Sequence, residues 1–223
     1  FISKILKKAG LDNYSNKSVT TGLYEASLRG VDSHGVRLLP HYVKSALSGR
    51  KNPRPNYKFN QTFPALGHLN ADNAFGHAAG MKAVDHCIEM ASSLGIGAVG
   101  VSNSSHPGAM ASMAIKAARC GYIGFAFTHA DSLLLSHGGR RPYFGTNPIC
   151  IAIPREETEP YCLDMATSMI SWNKLLNFKD DDLPLAPDLA ADKDGIMTTQ
   201  TKQAKSLLPA GSYKGYGLAS MVE

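Results

Sequence analysis

The sequence predicts an α/β protein whose N-terminal segment is helical. Apolar residues recur at helical spacing through residues 2–47, and from about Ala78 helical patterns alternate with short apolar runs typical of strands. The 223 residues are 43% hydrophobic and 18% charged, which suffices for a sizeable core. We expect an N-terminal helical segment over residues 1–60 and an α/β region with cofactor-binding and catalytic residues over residues 61–223.

Three helices are predicted in the N-terminal segment. The first covers residues 2–9, the second begins with Ser15 as its cap, and the third begins with Ser33 as its cap and runs to residue 47. A proline-rich stretch over residues 52–64 predicts an irregular connector to the next region.

The α/β region begins with a helix from about Ala78 that ends at Gly95. The elements predicted after it are a strand over residues 96–101, a loop over 102–108, a helix over 109–119, strands over 122–127, 149–153 and 161–165, and a helix over 168–176. The pattern over residues 96–127 is typical of a β-loop-α-β unit. The apolar residues 216–222 predict an unfinished helix, and we expect the chain to be truncated at its C-terminus.

Gly95-Ile-Gly97-Ala-Val-Gly100 matches the GxGxxG spelling of a dinucleotide-binding turn. That turn requires a strand before the glycines and a helix after them, so that phosphates meet a helix N-terminus. Here a helix precedes the glycines and a strand follows, which favours a structural interpretation of the motif. The region is therefore not predicted to be a Rossmann unit.

The segment from Asn103 to Ala109, NSSHPGA, lies just beyond a predicted strand and opens a predicted helix, with Pro107 suited to the first helical position. Polar side chains at that position in α/β proteins frequently meet ligands. A helix N-terminus disfavours a protonated imidazole, which suits His106 to proton transfer near neutral pH. A lone histidine can equally cap a helix, so the pattern leaves both interpretations open.

Three further polar segments are candidates for ligand contact. They are Asp32-Ser-His34-Gly35, where Ser33 also suits a helix cap; Asp164-Met-Ala-Thr-Ser168, with Thr167 or Ser168 as a cap; and Gly211-Ser-Tyr-Lys214-Gly-Tyr-Gly217. Lys214 among small residues suits a phosphate or a carboxylate, although a plain loop is an equal interpretation. Gly145-Thr-Asn147-Pro148 is typical of a turn.

Composition argues against several other classes of protein. The net charge of +5 comes from basic residues scattered along the chain, which does not favour a nucleic-acid-binding surface. The spacing of the four cysteines matches no metal site, and no metal is expected. Polar residues 103–107 interrupt the longest stretch without charged residues, so we expect no membrane span and a cytoplasmic protein.

Several motifs in this order resemble the malate/L-lactate dehydrogenase family. They are DSHG at 32–35 with Tyr42 downstream, NSSHPGA at 103–109, GGRRPYFGTNPI at 138–149, DMATS at 164–168 and YKGYGL at 213–218. The resemblance runs from the first helix to Glu223. It implies a mixed, non-Rossmann α/β fold, a homodimer, and NAD or NADP bound in a cleft near the subunit interface.

The resemblance also implies roles for individual residues in hydride transfer between nicotinamide and C2 of a small 2-hydroxy or 2-keto acid. His106 is the acid/base and His34 is placed with it at the substrate. The cofactor contacts fall on Ala130, Asp164, Met165, Ala166 and Lys214. The substrate contacts fall on Ser33, Tyr42 and Asn147.

Malate or lactate is the expected substrate, and ureidoglycolate, diketogulonate and cyclic imino acids are the alternatives within the family. A non-catalytic remnant that binds a nucleotide is an alternative of another class. The chain departs from the family pattern at Leu38, where many relatives carry arginine, and Arg37 lies one position earlier. One residue is about 100° of rotation on a helix, which predicts that Arg37 points away from the pocket.

Overall fold

The computed structural model describes all 223 residues and consists of two compact units. Unit 1 contains Phe1–Gly124 and Ile151–Cys162, and unit 2 contains Phe125–Cys150 and Leu163–Glu223. The boundary that we expected near residue 60 lies inside unit 1. No helix combines the length and the apolar character that crossing a membrane would require.

Seven α-helices and ten strands make up the chain, as the predicted α/β class requires. The helices are α1 (Ile2–Lys8), α2 (Asn13–Leu28), α3 (Leu39–Leu47), α4 (Gly76–Leu94), α5 (Ala111–Arg119), α6 (Trp172–Asp180) and α7 (Tyr213–Val222). The strands are β1 (Lys58–Phe63), β2 (Leu66–Asn70), β3 (Ala98–Ser102), β4 (Gly124–Phe127), β5 (Leu134–Leu135), β6 (Pro142–Phe144), β7 (Ile149–Ile153), β8 (Tyr161–Met165), β9 (Ala190–Ala191) and β10 (Ser206–Leu207).

The strands form three small sheets. Their orders are β1-β2-β3, β6-β5-β10-β9 and β4-β7-β8. In the first sheet β2 pairs antiparallel with β1 and parallel with β3, and α4 packs against β3. The residues at which the chain passes between units 1 and 2 lie within β4, β7 and β8.

The core of unit 1 forms where α1, α2 and α3 meet the start of α4. Its fully or almost fully buried members include Leu6, Val19, Leu23, Tyr42 and Phe75. Burying one such aliphatic or aromatic side chain contributes about 1.5–3 kcal/mol. This core holds Tyr42 and Phe75 in place, and both lie next to the candidate site described below.

Both predicted serine caps in the N-terminal segment were wrong. Helix α2 begins at Asn13, and Asp12 caps it by accepting a hydrogen bond from the Ser15 amide. Residues 32–38 form two short 3₁₀ turns rather than the start of α3, and the Ser33 hydroxyl pairs with His34. Asp12 therefore takes the capping role at α2, whereas α3 begins after Leu38 with no side-chain cap and with Pro40 in its first turn.

The predicted connector over residues 52–64 is in part a strand. Residues from Lys58 onward pair with β2 in a hairpin, although the segment is proline-rich at its start. The predicted β-loop-α-β unit is also corrected, because β3 and β4 belong to different sheets. The expected order of strand, loop, helix and strand over these residues is confirmed.

The structure confirms that the GxGxxG motif at residues 95–100 has a structural role. Gly95 ends α4 in the left-handed conformation, with φ of 78°, and Gly100 lies within β3. Glycine adopts this conformation without the steric cost that a Cβ atom brings. The glycines therefore follow a helix and enter a strand, the reverse of a phosphate-binding turn.

Candidate active site

The loop that carries His106 is fastened to the start of α4. The Ser105 hydroxyl accepts a hydrogen bond from the Gly76 amide at 3.1 Å and donates one to the Ala74 carbonyl at 3.1 Å. A Cβ atom on Gly76 would lie 2.1 Å from the Ser105 carbonyl oxygen, so only glycine allows the loop to approach this closely. These contacts position the backbone on either side of His106.

The His106 imidazole is exposed, and its Nδ1 atom lies 3.1 Å from the Tyr42 hydroxyl. Tyr42 is only 2% exposed, and burial raises the pKa of its phenol, which therefore stays protonated near neutral pH. The phenol is thus a neutral hydrogen-bonding partner that orients the imidazole. Such a partner decides which ring nitrogen carries the proton.

His34 stacks against His106, with ring centroids 5.5 Å apart and an interplanar angle of 27°. Its Nδ1 atom pairs with the Ser33 hydroxyl at 2.9 Å. Burial lowers the pKa of His34, which favours a neutral imidazole next to His106. The two histidines and their two hydroxyl partners thus form one polar cluster in unit 1.

His77, at the second position of α4, adjoins this cluster and is fully buried. Its ring meets the Tyr42 ring edge to face, with centroids 5.2 Å apart and an interplanar angle of 82°. Burial, followed by the positive charges that His106 and His34 can carry, lowers the pKa of His77 to about 3. His77 is therefore neutral at any pH near neutrality.

Unit 2 contains the residues expected to contact the cofactor, together with Asn147, which was expected to contact the substrate. Asn147 is fully buried, accepts a hydrogen bond from the Ala130 amide at 3.0 Å, and donates to the Ala219 carbonyl and the Glu223 carboxylate at 2.9 Å each. A Cβ atom on Gly145 would lie 2.3 Å from the Ala130 carbonyl oxygen. The Asn147 amide therefore ties the segment at Ala130 to α7.

A second set of contacts links the end of β8 to the start of α7. The Thr167 amide and hydroxyl both donate to the Thr146 carbonyl, and the Thr167 carbonyl accepts from the Ala210 amide at 2.9 Å. Gly215 packs so closely on the Thr167 carbonyl oxygen that a Cβ atom there would lie 2.5 Å away. Segments 164–167 and 210–215 are consequently neighbours within unit 2.

Asp164 and Lys214 present exposed charged side chains on these two segments, and Met165 and Ala166 are partly buried between Asp164 and Thr167. The Lys214 ammonium forms no ion pair within the chain. A carboxylate suits ribose hydroxyls and an ammonium suits a phosphate. This set of donors and acceptors fits a nucleotide.

The structure brings together Ser33, His34, Tyr42 and His106 in unit 1, and it links Ala130 to Asn147 in unit 2. Two local expectations were wrong. Helix α5 begins at Ala111, so Pro107 is not its first residue and His106 does not adjoin the helix N-terminus. Thr167 and Ser168 do not cap α6, because the Ser171 side chain accepts the capping hydrogen bond from the Lys174 amide.

Sequence reasoning missed His77 and Ser105. His77 lies within Ala74-Phe-Gly-His-Ala-Ala-Gly80, an apolar run that gives no sign of a polar neighbour. Its contacts come from α2, α3 and the His106 loop, which are distant in the sequence. Ser105 lies inside the motif that was identified, but its bonds to the start of α4 depend on the tertiary fold.

A family model described as malate/L-lactate dehydrogenase matches residues 1–223. The chain belongs to the malate/L-lactate dehydrogenase family, which confirms the resemblance of its motifs.

Two curated relatives illustrate the spread of names within the family. Ureidoglycolate dehydrogenase (NAD(+)) of Escherichia coli K12 is 35% identical over 222 residues, and malate dehydrogenase of Pyrococcus abyssi is 36% identical over 233 residues. Each match covers 100% of this chain and 64% of the relative. The chain thus spans less than two thirds of the length of these relatives.

Solved structures confirm the fold. Malate dehydrogenase from Entamoeba histolytica superposes with a TM-score of 0.94 at 31% identity, covering 100% of this chain and 66% of the other. The sulfolactate dehydrogenase from Methanocaldococcus jannaschii gives a TM-score of 0.90 at 32% identity, covering 100% and 65%. The predicted mixed, non-Rossmann α/β architecture is therefore confirmed.

Proposed function

We propose that this protein is an NAD- or NADP-dependent oxidoreductase that acts at C2 of a small 2-hydroxy or 2-keto acid, with His106 as the acid/base. The observation that carries the proposal is the exposed His106 imidazole, whose Nδ1 atom is held by the buried Tyr42 hydroxyl. Membership of a dehydrogenase family supports the reaction class. We also propose that the protein is a homodimer and is located in the cytoplasm. Membership of the family supports the homodimer, and the cytoplasm is the default location that we infer from the sequence.

The nicotinamide, when bound, accepts or supplies the hydride. His106 moves the proton: because the phenol occupies Nδ1, we assign the transfer to Nε2, which takes the hydroxyl proton in oxidation and returns it in reduction. For Nε2 to accept, the neutral ring must carry its proton on Nδ1 and donate it to the Tyr42 oxygen. Tyr42, for which a substrate contact was expected, is therefore proposed to act on the substrate through His106 instead.

His34 and Ser33 are proposed to face the substrate next to His106. A neutral His34 avoids placing a second positive charge beside His106 when that ring is protonated. In unit 2 we assign Lys214 to the phosphates of the cofactor and Asp164 to its hydroxyls. Three further residues are assigned to contacts with the cofactor through their own backbone atoms or apolar side chains: Ala130, Met165 and Ala166. Asn147, for which a substrate contact was expected, is fully buried, and we assign it instead to the support of Ala130 through its side-chain amide.

Malate and lactate are the proposed substrates. Ureidoglycolate is the second candidate, because the relative named for it matches this chain as closely as the malate dehydrogenase does. Two solved relatives carry further names, sulfolactate dehydrogenase and delta1-piperideine-2-carboxylate reductase. We therefore include a cyclic imino acid among the compounds to be tested, and we add a diketogulonate because the resemblance of the motifs also implies it.

The experiment that tests the proposal is a matrix of reactions followed at 340 nm. NADH and NADPH are each combined with oxaloacetate, pyruvate, a diketogulonate and a cyclic imino acid, and NAD⁺ and NADP⁺ with malate, lactate and ureidoglycolate. Turnover with one pair is expected and identifies the cofactor and the substrate class together. Cofactor binding without turnover on any pair would support a non-catalytic nucleotide-binding protein instead.

A further inference from the structure

His77 is a buried imidazole for which the proposed reaction has no use. Neither of its ring nitrogens has a hydrogen-bond partner, although both are inaccessible to solvent. An unpaired buried polar group costs stability, and an apolar residue of similar size would avoid that cost. The histidine is therefore explained neither by hydrophobic packing nor by hydrogen bonding.

The ring of His77 occupies a narrow gap between two glycines. A Cβ atom on Gly22 of α2 would lie 2.2 Å from its Cδ2 atom, and a Cβ atom on Gly108 would lie 2.2 Å from its Nε2 atom. The third neighbour is the Tyr42 ring, which meets the imidazole edge to face. A flat five-membered ring fits between two glycine backbones where a bulkier ring does not.

Two of these three neighbours belong to the machinery around His106. Gly108 is two residues after His106 on the same loop, and Tyr42 holds Nδ1 of His106. We propose that His77 is a positioning residue. By packing against both the Tyr42 ring and the His106 loop, it fixes their relative position and so maintains the Tyr42–His106 hydrogen bond. The kinetic part of this inference rests on the proposed function, whereas the structural part does not.

The neutral state of His77 suits this role. The titratable groups that face it are His106, His34 and Tyr42, and Gly22, its neighbour on α2, has no side chain to titrate. A positively charged residue at this position would repel the positive charge that His106 acquires when it takes a proton. An imidazole that stays neutral adds its shape without adding charge.

The test compares His77→Leu, which keeps most of the buried volume, with Tyr42→Phe and with the double variant. His86→Ala is the matched control, because His86 lies on the same helix but stacks on Phe59 with ring centroids 3.8 Å apart. Nitrogen-15 NMR reports which nitrogen of neutral His106 carries the proton. We expect Nδ1 in the wild type and in the control, and a shift towards Nε2 in both single variants.

The kinetic arm measures kcat and KM for the best substrate found. We expect kcat to fall about 10- to 100-fold in each single variant with KM changed less than about threefold, since loss of orientation at a reacting group costs up to about 10²-fold. The double variant should be no slower than Tyr42→Phe, because His77 acts through Tyr42.

The inference would be overturned if His77→Leu showed the same His106 nitrogen-15 signals and the same kcat as the wild type. It would also be overturned if the fold-losses in kcat of the two single variants multiplied in the double variant. If the wild-type protein turns over no substrate, the proposed function fails while the NMR comparison still decides the role of His77. If His77→Leu does not fold, His77→Gln supplies the same comparison with a neutral side chain that is flexible rather than flat.

Discussion

The lowered pKa of His77 makes the stability of the fold depend on pH. The unfolded chain protonates this imidazole near its ordinary pKa of 6.5, whereas the folded protein does so only near 3. Between these values the unfolded state binds more protons, so the free energy of unfolding falls as the pH falls. The expected slope is up to about 1.4 kcal/mol per pH unit.

Urea unfolding of the wild type and of His77→Leu at a series of pH values from 7 to 4 measures this effect. The wild type should lose stability more steeply than the variant, because leucine has no proton to bind. His34, whose pKa is also lowered by burial, contributes in the same direction in both proteins. Parallel slopes would show that His77 is not held neutral by the fold.

Lys214 tests the cofactor assignment at a single side chain. Its ammonium is exposed and forms no ion pair in the chain, so Lys214→Ala removes a charge without leaving a buried acid unpaired. We expect the Kd for NADH or NADPH to rise about tenfold, the equivalent of about 1.4 kcal/mol. Fluorescence titration measures it, with the exposed Lys205→Ala as the control. An unchanged Kd would remove Lys214 from the site.

The loop that carries His106 and the helix α4 meet at Gly108, so a contact between elements is tested there. Gly108 has φ of +74° and its Cβ position overlaps His77, whereas Gly30 has φ of +73° and nothing within 4 Å. Both alanine variants incur the left-handed cost of about 1–2 kcal/mol. Gly108→Ala should lose a further amount of about 1–3 kcal/mol in unfolding free energy through overpacking.

Activity separates the two glycine variants further. Gly108→Ala should lower kcat because it displaces the His106 loop or the His77 ring, and Gly30→Ala should leave kcat unchanged. Equal stability and equal kcat in the two variants would mean that the loop adapts to an added methyl group at no cost.

Asn147 connects three segments of unit 2 and so acts at the scale of elements. Asn147→Ala leaves the Ala130 amide without the oxygen that accepts its hydrogen bond. We expect a loss of about 1–3 kcal/mol in unfolding free energy, the cost of an unsatisfied buried donor. Urea unfolding beside Asn60→Ala, an exposed asparagine on β1, is the measurement. Equal losses would contradict the connecting role.

The sequence predicted elements well where a periodic apolar pattern ended at a glycine or where a short apolar run followed a proline. Helix α4 ends at Gly95 as expected, and the strands β7 and β8 match their predicted bounds. Strands β1 and β2 were missed because prolines precede them and their side chains are mostly exposed, so no buried face alternates. Their pairing with β3 is a tertiary contact that no local pattern contains.

The same division applies to the candidate site. His106, His34, Ser33 and Tyr42 were identified from motifs, but the bond from Tyr42 to His106 joins residues 64 positions apart. His77 escaped detection because its surroundings are assembled from separate helices and a loop. Local motifs identify the residues that can take part in chemistry, whereas long-range packing determines which of these residues contact each other.

At the scale of the whole molecule, the family match covers every residue of the chain, while the chain covers 64% of its curated relatives. The cluster of Ser33, His34, Tyr42 and His106 lies within unit 1, and the residues proposed to bind the cofactor lie within unit 2. The longest available form of the protein is therefore the one to assay, because the activity is proposed for the whole enzyme.

The most direct test of the central claim is single-turnover hydride transfer, followed at 340 nm, in the wild type and in His106→Gln with saturating cofactor. His41→Gln, an exposed histidine on α3, is the control. The account predicts a fall of about 10²- to 10⁴-fold in the rate for His106→Gln, the usual worth of an acid/base group, with cofactor affinity within about threefold. A rate for His106→Gln close to that of the wild type and of the control would contradict the assignment of His106 as the acid/base.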